Sequence, residues 1–208
     1  MTTPATTRSR ENTRARLLDA AAQVFAEVGL DGASVEVVCE RAGFTRGAFY
    51  SNFESKDELF LTLAARVGEV RVTAVRARVE EMAAAGALAE GCDPVMLVRE
   101  VMDSGEDDRL GVMLMSEIRI RALRDEAFGA AYLAQEREMV RSIAKIITDI
   151  AAVGLLELRL PAETAARMLM IVWEGMTVRG AMDGQDAAQL RHAGGEELGR
   201  LVQLLIVQ

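Results

Sequence analysis

Arg46, Gly47, Ala48 and Tyr50 stand on one short stretch, ERAGFTRGAFYSNF at residues 40–53, and their types suit a surface that reads nucleic acid. An arginine can donate two parallel hydrogen bonds to guanine O6 and N7. Glycine and alanine beside it let a backbone come close to a ligand. Thr45, Tyr50, Ser51 and Asn52 add short donors of the kind that bind phosphate. Lys56 follows at the start of another helical pattern, where a cation and a helix N-terminus together favour an anion. Upstream, residues 8–16 carry Arg8, Arg10, Arg14 and Arg16 against Glu11 alone, four positive charges less one, or +3. A polyanion feels such a local field more than the chain average.

The average points the other way, since the 208 residues carry a net charge of -8. Residues 1–56 balance seven Arg/Lys against seven Asp/Glu, so the other 152 residues, with 17 against 25, hold the whole deficit. Half the residues are apolar, enough for a small domain plus a larger one. The opening MTTPATTRSREN is too polar for a signal peptide or transit helix, and no apolar run approaches the roughly 20 residues of a membrane span. The expectation is a soluble cytoplasmic protein with no membrane partner. Cys39 lies in a helical pattern and Cys92 in a turn, a spacing that suits neither a metal nor a disulfide framework.

The elements that must position these residues are helices. In 13–28 the apolar residues Leu18, Ala21, Ala22, Phe25 and Val28 follow the spacing of one buried helical face, and Gly29 supplies a C-terminal cap. Ser34 caps a second short helix that ends at Gly43. Thr45 caps a third, with Phe44 and Phe49 placed as a hydrophobic staple and Phe49 and Phe53 turned to the core. Ser55-Lys56-Asp57-Glu58 is a capping box opening a fourth helix that runs past residue 80. The pattern is a helix-turn-helix, at about 33–52, whose second helix lies in the DNA major groove.

The run VVCERAGFTRGAFYSNFESKDELF, preceded by LLDAAAQVFAEVGLDGASVE, resembles the DNA-binding domain of the tetracycline-repressor (TetR) family of bacterial transcriptional regulators. The likeness is dense over about the first 70 residues and extends beyond them only as a helical layout. It implies that Thr45, Arg46, Gly47, Ala48, Tyr50, Asn52 and Lys56 touch operator DNA, with Ser34 a further phosphate contact. Phe44 stands where an aliphatic residue is usual, and Cys39 where a small residue is common. The implied protein is all-α: residues 1–9 a basic flexible arm, 10–70 the DNA-binding domain, 71–208 a larger effector-binding and dimerisation domain.

In that larger part, Asp93-Pro94 and Leu160-Pro161 read as helix starts with proline in the first position, and 108–124 and 125–151 as two further helices. Gly184 and the pair Gly194-Gly195 are expected to interrupt the chain before a final helix. Methionines 96, 102, 113, 115, 139, 168, 170 and 176 suit either an ordinary core or a cavity for varied apolar molecules. Glu117, Arg119, Arg121 and Glu174 fall inside apolar runs, as structural ion pairs or as ligand partners. The effector is expected among Met113, Glu117, Phe128, Tyr132, Trp173 and Met176, with Glu117 meeting any cationic group. A homodimer is expected through the last two helices, with Leu169, Val172, Met176, Leu198, Leu201, Val202 and Leu205 at the interface. His192, beside the glycine pair, reads as exposed.

Nothing suggests an enzyme: the sequence has no nucleophile elbow, no glycine-rich phosphate loop in a βαβ unit, no HExxH and no cysteine cluster. No cofactor or metal is expected. The function expected is a ligand-responsive repressor that binds a palindromic operator as a dimer. The alternatives are an activator, or a helical ligand-binding or adaptor protein that keeps the helix-turn-helix only as a packing unit.

Overall fold

The computed structural model describes residues 4–86, 93–103, 109–152 and 157–207, with side chains described except at 4–9, 31, 94, 102 and 103. Cys92, Gly154 and the side chains of Arg8 and Met102 lie outside the described residues. Among the described residues the elements in order are α1 (Pro4–Gly32), α2 (Val35–Ala42), α3 (Arg46–Tyr50), α4 (Lys56–Ala84), α5 (Pro94–Asp103), α6 (Arg109–Arg124), α7 (Glu126–Ala152), β1 (Glu157–Leu158), α8 (Ala162–Met182), α9 (Ala187–Leu205) and β2 (Ile206–Val207). The two strands are a single antiparallel pair, Glu157 opposite Val207 and Leu158 opposite Ile206. They end the last helix two residues before the apolar run itself stops.

The chain divides into two compact units, Met1–Arg66 with Met113–Tyr132, and Val67–Val112 with Leu133–Gln208. The segment 113–132, expected with the C-terminal domain, therefore belongs with the N-terminal helices. α1 already begins at Pro4, so the residues expected as a flexible arm are helix from that point.

In the first unit the buried face of α1 is Leu17, Leu18, Ala20, Ala21, Val24 and Phe25, while Val28 is 52 % exposed. The helix bends just after it, at Gly29, whose φ is 70°. Phe25 meets Phe60 of α4 edge-on, with ring centroids 4.5 Å apart. α6 and α7 supply Ile118 and Phe128, both buried.

In the second unit α9 packs against α5 and α8. Here the expectation of a glycine break fails. α9 runs unbroken through Gly194-Gly195, and the glycines serve close approach rather than a turn. A Cβ on Gly199 would lie 2.7 Å from Val95 Cγ1, and one on Gly194 would collide with the Trp173 ring. The helix starts earlier because Asp186 and Gln189 form a capping box: Gln189 N donates to Asp186 Oδ1, and Asp186 N to Gln189 Oε1, both at 2.9 Å. At the head of α8, Pro161 is the N-cap rather than the first helical residue.

Candidate nucleic-acid interface and candidate ligand cavity

α3 is only five residues long and depends on its neighbours for its shape. Phe49, fully buried, anchors it beside Phe53 at 5.6 Å. Thr45 caps it, Oγ1 accepting from Ala48 N at 3.2 Å, as Ser34 caps α2 by accepting from Val37 N at 3.2 Å. Gly43 makes the turn between them at φ 71°, a left-handed conformation that costs a side-chain-bearing residue roughly 1 kcal/mol. Its hydrogen bonds run to Cys39 O and Glu40 O, closing α2.

Anchored this way, α3 presents Arg46, Gly47, Tyr50 and Ser51 outward, with Thr45 at its exposed start and Ala48 half-buried. Arg46 is ion-paired to Glu36 of α2 at 2.6 Å, both side chains more than half exposed. Its guanidinium also stands 6.0 Å from the Tyr50 ring centroid. Glu36 was not singled out from the sequence; its acidic type argues against a place on a DNA-facing surface, and only the pairing explains it. Its carboxyl is held below the ordinary value chiefly by its own backbone hydrogen bond, with Arg46 and Ser34 adding to the effect.

Three expected contacts turn inward. Asn52 is buried, its Nδ2 donating to Ala48 O at 2.8 Å and so holding the end of α3, while its Oδ1 has no hydrogen-bond partner among the described residues. Arg14 stacks on Phe53 at 4.1 Å and donates to Asn52 O, to Glu58 Oε1 at 3.2 Å and to Thr62 Oγ1 at 3.1 Å. It braces the unit instead of extending from it. Lys56 Nζ donates to Leu30 O at 3.0 Å and lies 5.3 Å from the Phe60 ring. Ser51 Oγ donates to Gly47 O at 2.8 Å, and Arg10 is exposed. The α4 cap differs slightly from a simple box: Glu58 N donates to Ser55 Oγ, while Glu58 Oε2 accepts from Glu54 N rather than from Ser55.

Arg121, one of the charges in an apolar run, is structural. Its Nη2 donates to Asp57 Oδ2 of α4 at 2.8 Å and to Asp125 Oδ2 at 3.2 Å, with Phe128 under the guanidinium at 5.8 Å. Asp125 also caps α7 by accepting from Phe128 N at 3.0 Å. His192, exposed, stands 3.7 Å from Glu196.

The expected effector residues divide between the units: Met113, Glu117, Phe128 and Tyr132 fall in the first, Trp173 and Met176 in the second. The second unit contains a cavity of about 190 Å³ whose wall includes Trp173 and none of the other five. Of the methionines, Met139 and Met170 line it, whereas Met96, Met113 and Met168 are exposed. Four residues expected at a dimer interface, Leu169, Leu198, Val202 and Leu205, line this same cavity. Of the four, Leu198 and Leu205 are buried, and Leu169 and Val202 are half-buried. The sequence reading missed Val72, Val75 and Val79 of α4 and Leu97 and Val101 of α5, which complete the wall, because a periodic valine face looks the same whether it meets a core or a void.

A short, exposed, N-capped helix set by a glycine turn on a three-helix core defines a helix-turn-helix module. Residues 17–63 match the family model described as bacterial regulatory proteins, tetR family. The chain is 43 % identical over 63 residues, 28 % of this chain and 34 % of the relative, to the HTH-type transcriptional repressor AcnR of Corynebacterium glutamicum. It is 36 % identical over 67 residues, 32 % of this chain and 31 % of the relative, to the HTH-type transcriptional activator FasR of Mycolicibacterium smegmatis. The chain thus spans about a third of the length of these relatives. A solved TetR-family transcriptional regulator from Rhodococcus sp. shares the fold, with a TM-score of 0.73 at 19 % identity, over 95 % of this chain and all of that one.

Proposed function

We propose that this protein is a transcriptional regulator that binds palindromic operator DNA as a homodimer, represses, and is released by a small, mostly apolar effector. The observation that carries the reading is α3 itself: five residues, anchored by Phe49, with Arg46, Gly47 and Tyr50 facing out from a capped start. No structural economy requires so exposed an arginine and tyrosine on a helix whose other face is fully buried. Arg46 reads a base; Thr45, Gly47, Ala48, Tyr50, Ser51 and Ser34 hold the sugar-phosphate backbone, and Arg10 supplies field from α1. Lys56 serves phosphate only where its ammonium keeps a donor beyond Leu30 O, which three N–H groups allow. Asn52 and Arg14 act indirectly by setting the pose of α3.

The cavity of the second unit takes the effector. α4 runs unbroken from Lys56 to Ala84, so the cavity residues Arg71, Val72, Val75 and Val79 share one helix with Lys56. An occupant that displaces them acts on the helix that follows α3. Its place of work is the cytoplasm; among the described residues no helix is long and apolar enough to cross a membrane. The sign of regulation follows AcnR, a repressor, rather than FasR, an activator. A gel shift with DNA from upstream of the protein's own gene tests the proposal. A retarded band that survives nonspecific competitor supports it, and no band even at low salt would leave a helical ligand-binding or adaptor protein.

A further inference from the structure

The cavity of the second unit has an unusual charge balance. Of the twenty-three residues that line it, twenty-one are aliphatic, methionine or tryptophan, and the two others are Arg71 and Glu174, one positive and one negative. The Arg71 guanidinium lies 5.8 Å from the Trp173 ring centroid, and Glu174 is the next residue along α8. Arg71 and Glu174 are the two charged residues of the lining, and their formal charges sum to zero.

We infer that the cavity selects an uncharged, hydrocarbon-rich molecule with one hydroxyl or carbonyl end, set against Arg71 and Glu174. The inference rests on the proposal that this unit takes an effector, and it names that effector's chemistry. An anionic headgroup brought here would gain Arg71 but meet Glu174, and a cationic one the reverse. Either would leave one net charge in apolar surroundings, which is costly. A neutral oxygen avoids that. A guanidinium has five N–H donors and a carboxylate about four lone-pair sites, more than one or two partners consume. A hydroxyl can accept from Arg71 and donate to Glu174; a carbonyl can accept from Arg71. The volume of about 190 Å³, against the roughly 10–15 Å³ that one water needs, suits a ligand of on the order of a dozen heavy atoms. The cationic partner expected beside Glu117 has no counterpart here, because Glu117 does not line this cavity.

The test uses three probes with one chain, 1-decanol, decanoate and decylammonium, titrated into the full-length protein and followed by fluorescence of Trp173, the sole tryptophan. Decanol should saturate with a Kd at least about tenfold below those of the two ions, a factor corresponding to one modest uncompensated charge. Glu174→Gln should turn the preference towards decanoate, and Arg71→Met towards decylammonium. Each change is a gain of binding that a damaged fold cannot imitate. Equal binding of decanol and either ion by the unaltered protein, an unchanged ranking in both variants, or no saturable response to any probe would overturn the inference. A parallel gel shift separates the two readings. Decanol that binds but leaves the DNA complex intact sinks the effector role and keeps the cavity chemistry; a specific DNA complex with no probe binding does the opposite.

Discussion

On the proposed reading Arg46 exchanges Glu36, 2.6 Å away, for a base. Both side chains are largely exposed, so water and salt screen the pair and little holds it together. A bidentate contact to guanine discriminates by about 1–3 kcal/mol, more than an exposed ion pair usually contributes. Arg46→Ala should relax specificity at one operator position at a cost of about 1–3 kcal/mol, read by competition with single-base variants of the operator. Glu36→Gln should instead tighten binding to every sequence, because it removes a negative charge beside α3 and loosens the hold on Arg46. Weaker binding in that variant would mean Glu36 itself contacts DNA. The arginines before α2 separate in the same way. Arg10→Ala should flatten the dependence of log affinity on log salt by about one, as the loss of one phosphate contact does. Arg14→Met should leave that slope unchanged and lower the unfolding temperature, since Arg14 is held by Phe53, Asn52, Glu58 and Thr62. A flattened slope for Arg14→Met would return Arg14 to the DNA surface.

At the scale of elements, ion pairs and close packing fix how helices meet. Glu27 of α1 and Arg41 of α2 form two hydrogen bonds, at 2.8 and 2.6 Å, and the Arg41 bond holds the Glu27 carboxyl below its ordinary 4.5. A carboxyl depressed in the folded state stabilises at pH above its unfolded value, and that contribution disappears as pH falls through the folded one. Glu27→Gln should therefore be less stable than the parent at neutral pH and indistinguishable from it in strong acid, by urea unfolding at the two ends. A gap that persists in acid would assign the effect to packing. On α9, Gly199→Ala puts a methyl 2.7 Å from Val95 Cγ1, so overpacking of about 1–3 kcal/mol should exceed the roughly 1 kcal/mol that alanine gains as a helix former. Gly175→Ala on α8 meets only the flexible end of Arg179, at 3.1 Å, and should be stabilising. These glycines show where the sequence was legible and where it was not. The caps Ser34, Thr45 and Ser55 could be read because capping is local chemistry. Gly194-Gly195 misled because a glycine that breaks a helix and one that admits a neighbouring helix are the same letter, and only Trp173 and Arg99 across the contact tell them apart. Asn52 and Arg14 were misplaced for a related reason, since a polar residue in a recognition motif can serve the helix as well as the ligand.

For the whole molecule, the proposed dimer needs apolar surface outside the cavity. With Leu169, Leu198, Val202 and Leu205 lining the cavity, the apolar residues still facing out in this region are Met168, Ile171 and Met182 on α8 and Leu204 on α9. Met168, Ile171, Val178 and Met182 are spaced 3, 7 and 4 apart, the spacing of one helical face, with Gly175 between them leaving it shallow. Ile171 is 62 % exposed and Leu204 74 %, which is costly for large aliphatic side chains in a lone subunit and favourable once a second copy covers them. On the proposed reading, a two-fold dimer would repeat α3 at successive major grooves, about 34–36 Å apart, and convert one weak half-site into a specific operator. Ile171→Glu combined with Leu204→Glu should therefore give a monomer by light scattering at micromolar concentration. That monomer should keep its helical circular dichroism, lose the palindromic operator, and retain only weak, salt-sensitive binding to any duplex. Leu198→Ala, in contrast, should change the cavity and the response of Trp173 while leaving the protein dimeric. A double variant that stays dimeric would place the interface elsewhere, and one that is monomeric yet still prefers the palindrome would break the link between pairing of subunits and reading of two half-sites.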